Sequence, residues 1–363
     1  MRLVWGIVKE IYHQEDDIAY IAVQSAGFSG ENHLRPALLY TQLLGMCKPG
    51  DKVLVNCTAL DLRLGTGGYD FVLAIQNTKE NQVLFDNQKL DNSMKLRYTP
   101  LQSNTALLED EASFYHELLA EADSISGMPV VACELHSQVF LVAQAIKTQK
   151  PQAKLAYIYT DQGALLASIS KNLRQAQKQK LIDWTITAGQ ALGGDFEVQN
   201  IYTGLLAAKH VLQADLAIIA IGPGISGTAT KFGHGGVLVG EYVNATASLG
   251  GIPIACLRIS EADKRRRHQG VSHHSLVALS HIALACSHIA IPEIKDEQVK
   301  EKVFAQLDES GILAKHICHE FASTKPDSFG LEVLSMGRPY SADPVFFEAS
   351  YAAGYLAASF IRA

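Results

Sequence analysis

The chain is 363 residues long, beyond what one hydrophobic core usually organises, so two domains are the first expectation. Its 31 Lys and Arg against 37 Asp and Glu leave a net charge of −6, which argues against a general nucleic-acid-coating role. A hydrophobic content of 48% with 19% charged residues excludes a disordered chain.

No segment reads as a membrane span. The longest nearly unbroken apolar run, Leu216 to Ile225, contains Gly222-Pro223-Gly224 and is too short. Met1 to Glu10 lack the long apolar core of a secretory signal, so a cytoplasmic location is expected. The six cysteines, Cys47, Cys57, Cys133, Cys256, Cys286 and Cys318, are scattered and form no Cys-x-x-Cys pair. They read as buried thiols in a reducing compartment, not as a disulfide frame or zinc cluster.

In chain order, residues 1–93 read as a small all-β domain. Val4 to Ile11 and Ile18 to Val23 are β-branched strands separated by a polar turn over Tyr12 to Asp17. Lys48-Pro49-Gly50-Asp51 supplies a turn before a strand over Lys52 to Asn56. Leu64 to Tyr69 is a further turn, followed by the apolar run Phe71 to Ile75. Short strands at this spacing predict a barrel or sandwich, with closure left open. Residues 78–93 are polar and read as a linker or exposed hairpin. Residues 94–127 then connect, with a basic strand over Met94 to Gln102 and an acidic helix near Ala106 to Ala122.

Residues 128–363 alternate short apolar runs with helical periods. The strand candidates are Val130 to Glu134, Leu155 to Thr160, Trp184 to Thr187, Leu216 to Ile221, Ile252 to Ile259 and His288 to Ile291. Val139, Ala143 and Ile146 lie on one face of a helix between them, and Ile169, Leu173 and Ala176 on another. Continuously apolar strands alternating with helices predict a doubly wound α/β domain with a mostly parallel sheet. From Ala342 the chain reads as a helix suited to cover a sheet edge.

In such sheets ligands bind beyond the carboxyl ends of the strands. Nearly every loop there carries polar, charged or glycine residues. Glu134 and His136 follow the first strand and Asp161 the second, while the third runs into Gly193-Gly194-Asp195-Phe196-Glu197. After the fourth strand, glycines stand at 222, 224, 227, 233, 235 and 236, interleaved with Ser226, Thr228 and Thr230. Glycine allows close approach of backbone N–H groups to an anion, and the next helix start adds positive potential. Either a phosphate- or carboxylate-binding loop or a ligand-free lid fits this composition. The order matches neither a Walker loop nor a dinucleotide fingerprint.

The loop after the fifth strand holds Arg258, Glu261 and Asp263, then Lys264-Arg265-Arg266-Arg267-His268 and Gly270-Val271-Ser272-His273-His274. Ser272 is a natural N-cap, which places both histidines in the first helical turn, where the helix dipole favours neutral imidazole. They suit proton transfer or metal ligation, a metal needing a further ligand such as Asp195 or Asp263. Arg267 and His268 suit either anion binding or a solvated basic surface. Asp161 fits a ribose contact, a base or a helix cap, and Glu197 fits a first helical turn. His281 and His288 read as core or helix-face residues. Neither a nucleophile elbow nor a His-Glu-x-x-His pair occurs.

The chain resembles the bacterial proteins grouped as domain-of-unknown-function family 3866, nearly end to end. The carriers are Leu64 to Tyr69, Met94 to Gln102, Leu135-His136-Ser137, Thr160-Asp161 with Gly163-Ala164-Leu165, Gly193-Gly194-Asp195, Gly222-Pro223-Gly224 with Gly227-Thr228, and Arg258 through His274. Ala229 departs from the resemblance, which expects glycine there. The resemblance implies a shared two-part architecture and no assigned activity, so it carries over no functional residues.

The leading expectation is an enzyme or binding protein for a small anionic, phosphorylated or nucleotide-like ligand, of unknown cofactor. Gly222, Gly224, Gly227, Thr228, Gly235, Arg258, Arg267 and His268 would hold the ligand. Asp161, Asp195, His273 and His274 would do acid–base or metal chemistry. The alternative is a non-catalytic regulatory or scaffold protein whose barrel binds a partner. A nucleic-acid patch over Lys95, Arg97 and residues 264–267 is disfavoured, since aromatic interleaving is absent there. Membrane association is not expected, and homo-oligomerisation stays open.

Overall fold

The computed structural model describes residues 1–15, 17–28, 33–62, 67–76, 93–321 and 325–361. These fall into two compact units, Met1–Leu90 with Leu96–Ser103, and Asp91–Lys95 with Asn104–Ala363. Most of the polar stretch 78–93, and Leu64-Gly65-Thr66 of the second turn, lie outside the described residues.

The first unit holds a closed five-stranded barrel. Its strands are β1 (Leu3–Glu15), β2 (Ile18–Gln24), β3 (Leu34–Tyr40), β4 (Lys52–Asn56) and β5 (Asp70–Gln76), in the order β1-β2-β3-β5-β4. β1 runs on to Glu15, so the turn expected over Tyr12 to Asp17 is much shorter. Register shifts at Val8/Glu10 and Ile11/His13 bend β1, which pairs with both β2 and β4. β3 has no counterpart among the expected strands, because Pro36 speaks against one. It is accommodated since β3 pairs with β5 only from Ala37 onward. Val8, Ile21, Val23, Leu39, Val53 and Val55 fill the barrel and are fully buried. Closure leaves no sheet edge, which is how so small a core avoids open pairing groups.

The second unit is a doubly wound α/β structure on an eight-stranded sheet. Its strands are β6 (Pro129–Ala132), β7 (Leu155–Thr160), β8 (Trp184–Ala188), β9 (Phe196–Val198), β10 (Leu216–Ile221), β11 (Ile252–Ala255), β12 (His288–Pro292) and β13 (Ile317–Phe321). The spatial order is β9-β8-β7-β10-β6-β11-β12-β13, and each pairing is parallel. The helices that matter below are α1 (His136–Gln149), α2 (Lys171–Lys178), α3 (Ile201–Leu206), α4 (Leu238–Ser248), α5 (His273–Val277), α6 (Glu297–Glu309) and α7 (Pro344–Ser359).

Alternate residues of the strands feed two separate cores. Val130, Ala132, Ile158 and Ile219 face α3 to α6, while Val131, Cys133, Tyr157 and Ile218 face α1, α2 and α7. α7 reaches the edge strand β13 where the Tyr355 ring stacks on Phe321, and it also packs inward from that edge. It is buried through most of its length against α1, and a Cβ on Gly354 would stand 2.5 Å from the carbonyl oxygen of Val142. Glycine is what lets the two helices approach so closely.

Three local expectations fail for physical reasons. Met94 to Gln102 is a strand only over Met94–Lys95, because Leu96 and Tyr98 take φ of 53° and 61°. Residues 106–122 are helical only over His116–Glu121. Asp110 accepts from the Leu107 amide at 2.8 Å and the Ser113 hydroxyl accepts from Tyr115, bonds that compete with helix. Glu197 sits in the edge strand β9, not in a helical turn, and receives Nζ of the buried Lys95 at 2.5 Å. Lys95 also donates to the carbonyls of Thr187 and Ala191, so its ammonium is fully partnered and structural.

After β6 the chain travels outward through β7, β8 and β9, then returns to insert β10 between β7 and β6. It then proceeds through β11, β12 and β13 on the other side. The helix after β6 therefore covers one face, while those after its neighbours β10 and β11 cover the other. The carboxyl end of β6 is the place where connections part, and where a crevice opens.

Candidate functional site

Glu134 stands just past the carboxyl end of β6 and is wholly buried. Its Oε1 accepts from Arg258 NH1 at 2.8 Å and lies 2.9 Å from His274 Nδ1; its Oε2 accepts from the Ser275 hydroxyl at 3.0 Å. Burial by itself would raise this carboxyl, but the Arg258 guanidinium and the His274 bond outweigh it and hold it at about 2. Arg258 is itself buried and bonds Asp263 at 3.3 Å, and Asp263 also takes Arg265 at 2.8 Å. Asp263 is thus saturated by guanidinium groups and is not turned toward the histidines as a ligand.

The paired histidines follow from local sequence. The Ser272 hydroxyl accepts from the His274 amide at 3.3 Å, capping α5. The glycine loop brings a third imidazole: His234 stacks on His274 with ring centroids 3.8 Å apart and planes 5° from parallel. His273 stands 5.0 Å from His234 and 4.4 Å from His274, centroid to centroid. His268 completes the cluster at 4.9 Å from His274, its Nδ1 bonded to the Ser272 hydroxyl at 2.8 Å.

Glycine is required at Gly236, where a Cβ would lie 2.7 Å from Cβ of His274; at Gly227 a Cβ would make ordinary contact, 3.6 Å from His274 Nε2. Gly227 and His234 form an antiparallel bridge, and Gly235 donates to the Ser226 carbonyl at 3.0 Å. The Thr228 hydroxyl is used inside the loop, against Thr230 and the Gly233 carbonyl, each at 3.0 Å. Ala229, where the family resemblance expects glycine, takes a φ of 63°, in the left-handed region.

Burial, then the neighbouring imidazoles and Arg267, lowers His273 to about 4. Burial, then Arg258 and Arg265, lowers His268 to about 3, and His234 is lowered by burial and by His274. At neutral pH these rings are uncharged, so each keeps a lone pair for a proton or a metal.

The other wall of the rim is a cleft of about 410 Å³, lined by Leu135 to Ser137, Ile169 to Asn172, Ile221 to Ile225, Leu334 and Met336. It lies over the first turns of α1 and α2, whose leading N–H groups have no acceptor within their own helices. A hydrogen-bond chain braces it. The Leu173 amide donates to Ser170 Oγ at 3.1 Å, and Ser170 Oγ lies 2.6 Å from His136 Nε2. His136 Nδ1 lies 2.9 Å from Tyr157 Oη, which donates to the Ile221 carbonyl at 3.2 Å. Burial holds His136 down at about 3, so it is a neutral brace. Gly222 and Gly163 let this wall close: a Cβ on Gly163 would fall 2.3 Å from the Gly222 carbonyl oxygen.

Other predicted site residues lie apart. Asp161 Oδ2 accepts from the Gln190 amide at 2.9 Å and tucks against Gly189, fixing the loop after β8. Asp195 accepts from Thr185 N and from Gln177, each at 2.8 Å. That contact is at the amino end of β8, on the rim opposite the histidines. Arg267 is exposed, and neither it nor His268 lines the cleft. His281 is exposed, with its ring 5.8 Å from Phe232, and His288 pairs with His319 at 2.9 Å. Sequence reasoning did not single out His234, whose only local signal is an imidazole amid glycines.

A small β-barrel and a doubly wound α/β unit, with polar loops gathered at the carboxyl rim around the β6 switch point, define the class of protein. The chain belongs to the family described as "Protein of unknown function (DUF3866)", whose family model matches residues 36–354. No curated protein and no solved structure matches it. Among the described residues, no helix is long and apolar enough to cross a membrane.

Proposed function

We propose that the protein binds a small anionic, phosphorylated or nucleotide-like molecule at the carboxyl ends of its parallel strands, as an enzyme or a binding protein. One observation carries this reading: the cleft of about 410 Å³ is bounded by Gly222-Pro223-Gly224 and by the starts of two helices. Helix starts present N–H donors and positive potential to an anion, and glycines let the backbone come close. Lys171 and Asn172 at the lip add a cation and an amide. Arg267 and His268 do not line this cleft, so Lys171 takes the neutralising role in this reading.

The test is thermal unfolding of the full chain with inorganic phosphate, sugar phosphates and nucleotides. A ligand at 100 times its Kd stabilises by about 2.7 kcal/mol. The gain is expected to vanish in Lys171→Glu, at an exposed position, with circular dichroism checking that the variant is folded.

The non-catalytic alternative has its own observation. β1 presents Leu3, Trp5 and Ile7 outward, 38%, 45% and 36% exposed, along a barrel groove of about 880 Å³, with Lys52 5.1 Å from the Trp5 ring. If none of the anions raises the Tm, this partner-binding reading replaces the first.

A further inference from the structure

Two nitrogens in the histidine cluster, His234 Nδ1 and His273 Nδ1, are buried with no hydrogen-bond partner. A buried polar atom left without a partner is costly, so two in one cluster call for a reason. His234 is 6% exposed, and its Nε2 lies 3.0 Å from the Lys231 carbonyl. A carbonyl only accepts, so Nε2 carries the proton and Nδ1 the lone pair. At His274 the Glu134 carboxylate accepts the Nδ1–H bond at 2.9 Å, which leaves Nε2 as the nitrogen that can face a metal. One imidazole is oriented by a backbone carbonyl and another by a carboxylate, as outer partners orient the imidazoles of metal sites.

We propose that His234, His273 and His274 form a binding site for one divalent transition-metal ion of the zinc class, with Glu134 as the positioning residue behind His274. A ligand atom from each of the three lies within 4.8 Å of the others. Gly236 keeps the space clear: a Cβ there would stand 3.1 Å from His234 Nδ1 and 2.7 Å from Cβ of His274. Three imidazole nitrogen donors without an inner carboxylate select zinc, cobalt(II) or nickel over magnesium or calcium. Three protein ligands also leave a position open to water or to an anionic group. Lone pairs lie in the ring planes, and the His234 and His274 rings are 5° from parallel, so an ion held by both requires one ring to turn about its Cβ–Cγ bond. The proposal does not rest on the anion reading, since none of the three histidines lines the cleft.

The experiment uses the tag-free full chain, purified with a chelator, dialysed and titrated with Co²⁺ alone, following the visible absorption of the bound ion. One equivalent is expected to saturate the signal, Zn²⁺ to displace it, and Mg²⁺ or Ca²⁺ to leave it unchanged. His273→Ala and His234→Ala are expected to abolish saturation while circular dichroism and Tm show a folded chain. Glu134→Gln is expected to weaken binding by about 10–100-fold; should that variant fail to fold, the two histidine variants decide. Absence of a saturable signal in the unmodified chain overturns the proposal, as does unchanged affinity in folded His273→Ala and His234→Ala. Stabilisation by phosphate in a chain that binds no Co²⁺ defeats the metal site alone and leaves the anion cleft standing.

Discussion

Glu134 Oε1 and His274 Nδ1 meet at 2.9 Å although 140 positions separate them in the chain. The contact joins the end of β6 to the first turn of α5, and Arg258 reaches the same carboxylate oxygen at 2.8 Å. A buried carboxylate thereby holds an imidazole and a guanidinium at once. The orientation of the histidine cluster depends on that ion pair staying closed.

Arg258→Ala is expected to destabilise the α/β unit by about 3–5 kcal/mol, because it strands the Glu134 charge in the interior and removes one partner of Asp263. Arg265→Ala removes a guanidinium whose side chain is 40% exposed, and should cost under about 1 kcal/mol. Urea unfolding of both variants checks the contrast. Equal costs would contradict the account of burial.

Asp70 in the barrel is 1% exposed, its carboxylate has no hydrogen-bond partner among the described residues, and Arg35 stands 3.6 Å away. Burial pushes its carboxyl up to about 6 from an ordinary 3.8, which outweighs Arg35. The folded chain therefore holds this proton more tightly than the unfolded one. Stability from this group is greatest below pH 3.8 and is lost as pH rises through about 6. Asp70→Asn should remove about 2–3 kcal/mol of the difference between pH 4 and pH 7. Unfolding followed by Trp5 fluorescence in a Trp184→Phe background reads it, and an unaltered pH slope refutes it.

Ser170→Ala removes the cap of α2 and the hydroxyl bound to His136 Nε2 at 2.6 Å. The two losses together should cost about 2 kcal/mol. Phosphate binding should weaken as well, because the brace of the cleft is cut. Calorimetric Tm and a phosphate titration on the same variant measure both effects.

Ala229→Gly should stabilise the protein by up to about 1 kcal/mol. The residue sits at a φ of 63°, a conformation costing a side chain about 1–2 kcal/mol, against a smaller entropic loss for glycine. A lower Tm would show that the loop gains something from the methyl group.

The α/β architecture was legible because Leu155–Thr160 and Leu216–Ile221 are unbroken apolar runs buried on both faces, and period and burial coincide there. Phe196–Val198 and Ile317–Phe321 were not, since edge strands are short and half-exposed and carry no such run. Leu34–Tyr40 was hidden by Pro36, whose tolerance depends on where β5 begins to pair. At the site, the Ser272 cap and the pair His273-His274 could be read from adjacent residues. His234 could not, because what marks it is a ring stacked on it from 40 positions onward. Asp195 reads as a rim residue, yet its bond to Thr185 N sets it at the other end of the strand.

By itself the sequence determined what acts over a few residues: β against α period, the cap before the histidines, and a loop glycine-rich enough to bend anywhere. Only the tertiary structure decided which loops face one another. That outcome depends on the strand order β7-β10-β6-β11, which sets Glu134, His234 and His274 on one rim. Strand order follows from packing both faces of the whole sheet at once, and no short stretch of chain encodes it.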